Sequence, residues 1–229
     1  LYGSIMLMPL FLQTLMGYDA TLAGWALAFG GIGSLLIMPV VGRLTMVMDS
    51  RKIVFVGLLI NAYAVYLMSG YTTGIDYYHA WWPRFVQGFG LGATFVSLTT
   101  LTMSRISQEK MGNATGIFNL MRNLGGSFGI ATATTLLARR SQFHQGRLVE
   151  HLTPFSQPFN DWQQRLSQAL PDLGADWQWW NTPEAMAGLY QEVLRQAKML
   201  AFCDDYWFFT IVFLCLLPLV FLMRRSPKH

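Results

Sequence analysis

Charged residues are scarce in this chain. They make up 12% of its 229 residues, about half the roughly 25% of an ordinary soluble domain. Apolar residues make up 53%, and the mean hydropathy is +0.34. A soluble globule of this composition would have too little charge to cover its surface. Disorder is excluded as well, because disordered chains are poor in aromatics; this one has 16 Phe, 8 Trp and 9 Tyr. Cysteine is nearly absent. Cys203 and Cys215 give no disulfide framework and no metal-ligand spacing, and both read as small buried hydrophobes. Histidine is sparse: His79, His144, His151 and His229 form no cluster and pair with no cysteine. No His-Glu-x-x-His and no Gly-x-Ser-x-Gly occurs, and no glycine run leads into Lys-Ser/Thr. No enzyme, metal site or cofactor is therefore expected. The net charge of +4 comes without a Lys/Arg-rich run, so no nucleic-acid partner is expected either. The chain opens Leu1-Tyr2-Gly3 in apolar sequence, with no Met and no signal-peptide n-region, and reads as a piece of something longer.

What is present is a series of long apolar runs. A helix needs about 20 apolar residues to cross a bilayer core of roughly 30 Å. Residues 21–44, 53–70, 81–104, 113–138 and 201–223 meet that test. Residues 1–16 are apolar but short, and read as the tail of a further helix. The chain thus reads as an all-α polytopic membrane protein in the lipid bilayer, with six crossings, the first truncated. Residues 1–138 hold the first five, 139–200 a long loop, 201–223 the last, and 224–229 a tail.

Charge placement orients them. The connectors 43–52 and 105–110 and the tail carry cations, whereas 17–20 and 71–80 carry none and contain Asp19 and Asp76. By the positive-inside rule the cationic connectors and the C-terminus face the cytoplasm. Tyr71, Tyr77, Tyr78, Trp81 and Trp82 then form an aromatic belt at the outer interface. The long outer loop predicts two short helices. Asn160 can cap the first, over residues 161–170, and Thr182 with Pro183 can start the second. Trp177, Trp179 and Trp180 between them either anchor at the interface or face a partner.

Two cations fall within the runs, Arg84 and Arg122. Each costs at least a few kcal/mol at membrane depth unless it faces a bundle interior, a partner or water. Arg122 lies roughly 15 Å into its helix. Asn119 and Gly126 share its face and Asn123 is adjacent. This band is either a substrate or coupling path or a hydrogen-bond network that holds helices together. Arg84, one turn before Gln87 and Gly88, either joins such a path or snorkels to the outer interface. Asp204, with Asp205, stands where the outer loop re-enters the membrane. It either captures protons or organic cations or simply stabilises a helix start. Gln13 is a weaker candidate of the same kind. Gly88, Gly90 and Gly92, and Gly125, Gly126 and Gly129, let helix backbones approach closely. Gly30, Gly31 and Gly33 with Pro39 suggest a pliable helix.

Several of these stretches together resemble the major facilitator superfamily, in particular its 14-helix drug:proton antiporters of the EmrB/QacA type. Pro9-Leu10-Phe11-Leu12-Gln13 with Tyr18, Ala20, Ala23 and Gly24 resembles the junction between the ninth and tenth helices. Gly42-Arg43-Leu44 with Asp49-Ser50-Arg51-Lys52 resembles the family's cytoplasmic gating loop. Met46 and Val47 occupy its Asp-Arg positions, so its acidic contact is expected to be absent. Arg84-x-x-Gln87-Gly88-x-Gly90-x-Gly92 resembles an echo of the Arg-x-x-Gln-Gly motif. Gly116-x2-Asn119-x2-Arg122-x2-Gly125-Gly126-Ser127-x-Gly129 is the most specific match.

The resemblance implies the C-terminal six-helix bundle of a major facilitator fold, rocking against a missing N-terminal bundle. It implies proton-driven efflux of hydrophobic or amphipathic drugs across the inner membrane, with a periplasmic adaptor and an outer-membrane channel as further partners. The rivals are transport of another small molecule and, for a chain that is naturally a half, a membrane accessory protein that transports nothing.

Overall fold

The structure, a computed structural model, describes residues 1–104, 106–151, 157, 160, 161, 164 and 183–222. Its helices are α1 (Tyr2–Thr14), α2 (Ala20–Val47), α3 (Ser50–Ser69), α4 (Tyr77–Met103), α5 (Met111–His151) and α6 (Pro183–Leu222), with a 3-10 turn at Gln108–Lys110. No strand occurs among the described residues.

Short polar signals set the helix ends. Gly17, at φ 68°, ends α1 in the left-handed region, and the Tyr18 N–H closes back on the Leu12 carbonyl at 3.1 Å. That bond reaches one residue further back than the six-to-one link of the usual glycine stop, and the left-handed Gly17 makes the turn. Asp19 then caps α2 by accepting the Leu22 N–H at 2.9 Å. Asp49 caps α3 by accepting the Arg51 N–H at 3.1 Å. Asp76 precedes α4 without a side-chain cap bond.

Two compact units result, one of Leu1–Thr135 with Phe202–His229, the other Leu136–Ala201. In the first unit α4 packs between α2 and α3, and glycine permits both contacts. A Cβ on Gly33 of α2 would lie 2.5 Å from the Phe85 carbonyl of α4, and one on Gly88 would overlap the Gly30 carbonyl. A Cβ on Gly92 would meet Ile37 at 2.5 Å. On the α3 side, a Cβ on Gly57 would meet Thr94 Oγ1 at 2.6 Å, and one on Gly90 the Asn61 Nδ2 at 2.7 Å. Such backbone-to-backbone packing suits helices in lipid, where no hydrophobic force drives them together. α2 runs unbroken through its glycines and Pro39; Gly30 and Gly33 serve as contact points on α4, and Gly31 meets nothing within 4 Å. α1 joins through Gly3, whose Cβ would meet Phe209 of α6 at 2.6 Å and the Gly129 carbonyl of α5 at 2.7 Å.

The outer surface is apolar. Trp25, Leu35, Phe128 and Phe221 are all exposed, a pattern that water would penalise and lipid accepts. Among the described residues, four helices have spans long and apolar enough to cross a membrane: Ala20–Val47, Ser50–Ser69, Tyr77–Met103 and Met186–Leu222. The chain is thus an all-α multi-pass membrane protein. Two of the six expected crossings fall short of that measure. α1 is 13 residues long. α5 is long, but Asn119, Arg122, Asn123 and Ser127 dilute its apolar run.

The second unit is helical at both ends of the 139–200 stretch. α5 continues to His151 and α6 begins at Pro183, so both ends of the 139–200 stretch extend the flanking helices. The helix expected from Pro183 runs straight into the last span. Within this unit Phe143 lies under Arg140 at 5.7 Å and under Arg147 at 5.2 Å, and Gln145 Nε2 meets the Tyr190 hydroxyl at 3.3 Å. Val193, Ala197 and Met199 are buried. Asn160 is itself helical with Asp161, so it does not stand outside a helix as a cap. The rest of the first expected loop helix, the three loop tryptophans and the tail 224–229 lie outside the described residues.

Tyr71 also departs from expectation. It is buried, donates to the Ala80 carbonyl at 2.8 Å and stacks on Phe11 at 5.3 Å, so it belongs to the core and not to an aromatic belt. Tyr78 and Trp82 are exposed, and Trp81 stacks on Phe29 at 4.2 Å. Cys215 is exposed and Cys203 half-buried, so neither is the fully buried hydrophobe the sequence suggested.

Candidate binding and coupling site

Arg84 lies about 10 Å along α4 and does not snorkel. It is 5% exposed. Its Nη1 donates to Gln87 Oε1, one turn on. Gln87 is fully buried and passes the link to α1, donating from Nε2 to Ser4 Oγ at 2.9 Å. Ser4 in turn donates to the Leu1 carbonyl at 2.9 Å. A Cβ at Gly30 of α2 would lie 2.8 Å from Arg84 Nε, so glycine there makes room for the guanidinium. The phenols of Tyr71 and Tyr206 complete the surroundings, within electrostatic reach of Arg84. Tyr206 belongs to α6 and its ring is 5.9 Å from that of Tyr71. Groups from α1, α2, α4, α6 and the α3–α4 connector thus meet around one cation.

Arg122 is placed differently. It is half-buried on α5, with its guanidinium over the Phe95 ring of α4 at 5.3 Å, a cation–π contact. Its Nε has no hydrogen-bond partner. Asn119 is half-buried and Asn123 exposed. Ile117, Leu120, Met121, Leu124 and Phe128 expose an apolar face of the same helix. Gly126 lies under the Tyr2 ring, a Cβ there coming within 3.2 Å, and Gly129 faces Gly3 of α1. Gly125 is exposed and touches nothing within 4 Å. Gln13 is exposed near the end of α1. The structure therefore brings Arg84 and Gln87 together, and leaves Arg122, Asn119 and Gln13 outside that cluster.

A family model described as Major Facilitator Superfamily matches residues 1–130. The chain belongs to the major facilitator superfamily. Membership places it among membrane transporters and not enzymes. The chain is 31% identical over 224 residues to the multidrug export protein EmrB of Escherichia coli K12, covering 97% of this chain and 42% of that protein. It is 30% identical to the fatty acid resistance protein FarB of Neisseria gonorrhoeae, over 99% of this chain and 43% of that protein. It is 28% identical to the colistin resistance protein EmrB of Acinetobacter baumannii, over 100% of this chain and 44% of that protein. The chain thus spans less than half the length of these relatives.

In this superfamily member the α2–α3 connector places Gly42 half-buried, Arg43 and Lys52 exposed, and Asp49 and Arg51 half-buried. The Asp49 carboxylate is occupied with the α3 cap. Met46 and Val47 stand 88% and 84% exposed, so the positions where the gating loop carries its charged pair present bare apolar side chains.

The residues that sequence reasoning passed over are Ser4 and Tyr206, and of the Asp204–Asp205 pair it put Asp204 first. Asp204 is half-buried, whereas Asp205 is fully buried. Helical phase would have separated them. Ala201, Phe202, Asp205, Tyr206, Phe209, Thr210 and Phe213 form one buried stripe at helical spacing, and Asp204 flanks it. Ser4 carries no such signal, since its partner Gln87 is on another helix.

Proposed function

We propose that this chain is the C-terminal bundle of a proton-driven exporter of hydrophobic or amphipathic drugs in the inner membrane, with its C-terminus in the cytoplasm. Similarity across almost the whole chain to proteins named for multidrug export and for resistance supports this reading. Alternating access comes from this bundle rocking against an N-terminal one. The exposed apolar face of α5 offers a surface for that partner, and Arg122 and Asn119 on the same helix line or brace the path between the bundles. Asp204 and the buried Asp205 are the carboxylates at the membrane entry of α6 that protons can reach. On that same outer side of the membrane, the 139–200 segment docks a periplasmic adaptor that leads to an outer-membrane channel.

The test uses the full-length protein in drug-hypersensitive cells and in inverted vesicles. Drug addition should discharge a preformed proton gradient in vesicles with wild-type protein, and Arg122→Ala should lose resistance at normal expression. Wild-type resistance in that variant would remove Arg122 from the path. A gradient that no drug discharges would remove proton coupling. Deleting residues 153–182 should lower resistance in cells while leaving vesicle transport intact; equal loss in both assays would count against docking.

A further inference from the structure

The corner between α2 and α3 is two residues long, Met48 and Asp49, so the end of one helix adjoins the start of the next. Three cations, Arg43, Arg51 and Lys52, stand there against one carboxylate, Asp49. That carboxylate accepts the Arg51 backbone N–H as the α3 cap. Among the described residues none of the three cations forms an ion pair. Arg43 and Lys52 are exposed, and Met46 and Val47 between them are almost fully so. Water penalises the bare apolar pair, and hydrocarbon penalises the unpaired cations. The layer where acyl chains end and charged head groups begin accepts both.

Helix length puts the corner in that layer. α2 has 28 residues, about 42 Å at 1.5 Å per residue. The hydrocarbon core of a bilayer is about 30 Å thick, and the whole about 40–45 Å with its head groups. Capping aspartates flank both ends of α2, Asp19 before it and Asp49 after, which centres the helix. Its last turn, beyond Arg43, then lies among head groups. Phase supplies the face. Leu36, Val40, Arg43 and Val47, at i, i+4, i+7 and i+11, fall on one side of α2, and all four are exposed. An apolar stripe thus runs from mid-helix to a cation, in the order in which a lipid presents its acyl chain and then its head group.

We propose that the α2–α3 corner binds an anionic lipid, its acyl chain along Leu36 and Val40 and its phosphate against Arg43 and Lys52. Met46 and Val47 seat among the neighbouring head groups. Charge complementarity selects an anionic lipid over a zwitterionic one, because the corner has three cations and one carboxylate and that carboxylate is engaged in the cap. The proposal rests on the orientation given above, which turns this corner toward the cytoplasmic leaflet.

The test places the full-length protein in vesicles of phosphatidylglycerol and phosphatidylcholine, one of the two brominated on its acyl chains. A fluorophore on Val40→Cys, in a background without other cysteines, is quenched by whichever lipid occupies the stripe. Each cation near an anionic head group contributes about five-fold, so phosphatidylglycerol should be preferred by about 5- to 30-fold. Arg43→Gln combined with Lys52→Gln should bring the preference close to one. Met46→Asp should lower it about five-fold, since one carboxylate offsets one cation, and high salt should lower it in the wild type. A wild-type preference near one overturns the proposal, as does an unchanged preference in the double variant. Should that variant fail to fold, a preference that high salt leaves unchanged overturns it. Quenching by neither lipid overturns it too and shows the stripe covered by protein; if quenching then appears only on dilution into more lipid, that cover is a second copy. Labelling of Lys52→Cys in intact cells by an impermeant maleimide tests the orientation separately. Labelling from outside sinks the orientation and leaves a lipid preference measured in vesicles standing. Protection from outside with a preference near one sinks the lipid site and leaves the orientation.

Discussion

Gly33→Ala should be strongly destabilising, and Gly31→Ala, two residues away on the same helix, should not. The added Cβ at Gly33 would lie 2.5 Å from the Phe85 carbonyl. Comfortable carbon contacts begin at about 3.5 Å, so α2 and α4 must separate by roughly 1 Å. The obstacle is main chain, and no side-chain rotation relieves it. A gap of that size forfeits about a quarter to a half of each dispersion contact across the crossing. The same strain would spread to Gly30 and Gly88, whose backbones already touch. Overpacking of this kind costs about 1–3 kcal/mol. For a protein of this size that corresponds to a fall of roughly 2–12 °C in melting temperature, on the scale of soluble domains. At Gly31 nothing lies within 4 Å, and alanine is the better helix former by about 1 kcal/mol. Thermal unfolding of both variants in detergent, followed by size-exclusion chromatography, reads the difference. Equal melting temperatures, or a larger loss at Gly31, would refute the close crossing of α2 and α4.

The caps and the polar link give three further contrasts. Asp19→Ala removes the side-chain cap of α2 and should cost about 1 kcal/mol, while Asp76→Ala, which removes no cap bond, should cost little; thermal unfolding of the pair decides. Gly17→Ala should cost about 1 kcal/mol through its positive φ alone, since its surroundings are open, and Gly74→Ala, also open but without that φ, is the control. Ser4→Ala leaves the Gln87 amide without its acceptor and should destabilise by about 1–3 kcal/mol; in a double-mutant cycle with Gln87→Leu the two losses should be less than additive, and full additivity would deny the bond.

How much of this was legible in the sequence follows from what a sequence encodes directly. Length and apolarity of a run are written residue by residue. The spans expected at 21–44, 53–70 and 81–104 therefore lie within a few residues of α2, α3 and α4. The extensions of α5 and α6 into the 139–200 stretch were not legible as continuations. Arg139, Arg140, Arg147 and Glu150 make the end of α5 polar, and polarity reads as loop when hydropathy is the only guide. Pro183 was legible as a helix start because its fixed φ suits the first turn. That α6 then runs unbroken from Pro183 to Leu222 depends on there being no proline between Pro183 and Pro218, a weaker signal than a start.

The two membrane arginines show where the limit lies. Position along a helix gives depth, and by depth Arg122, near the middle of its run, looked the more costly charge. Azimuth decides burial, and azimuth depends on which neighbours a helix finds. Arg84 faces inward because Gly30 lets α2 pass its guanidinium, and because Gln87, one turn on, reaches Ser4 across to α1. No spacing within α4 could disclose Ser4 or Tyr206, since both come from helices distant in the chain. Arg122 shares its face of α5 with Gly126 and Gly129, which meet Tyr2 and Gly3 of α1, and it is half-buried there. The glycines of its motif pack that face against α1, and one turn before them the guanidinium lies over Phe95 of α4. Helical phase thus places Arg122 with the glycines on the packed face of α5, and the exposed face of Ile117, Leu120, Met121, Leu124 and Phe128 is the one left for another partner.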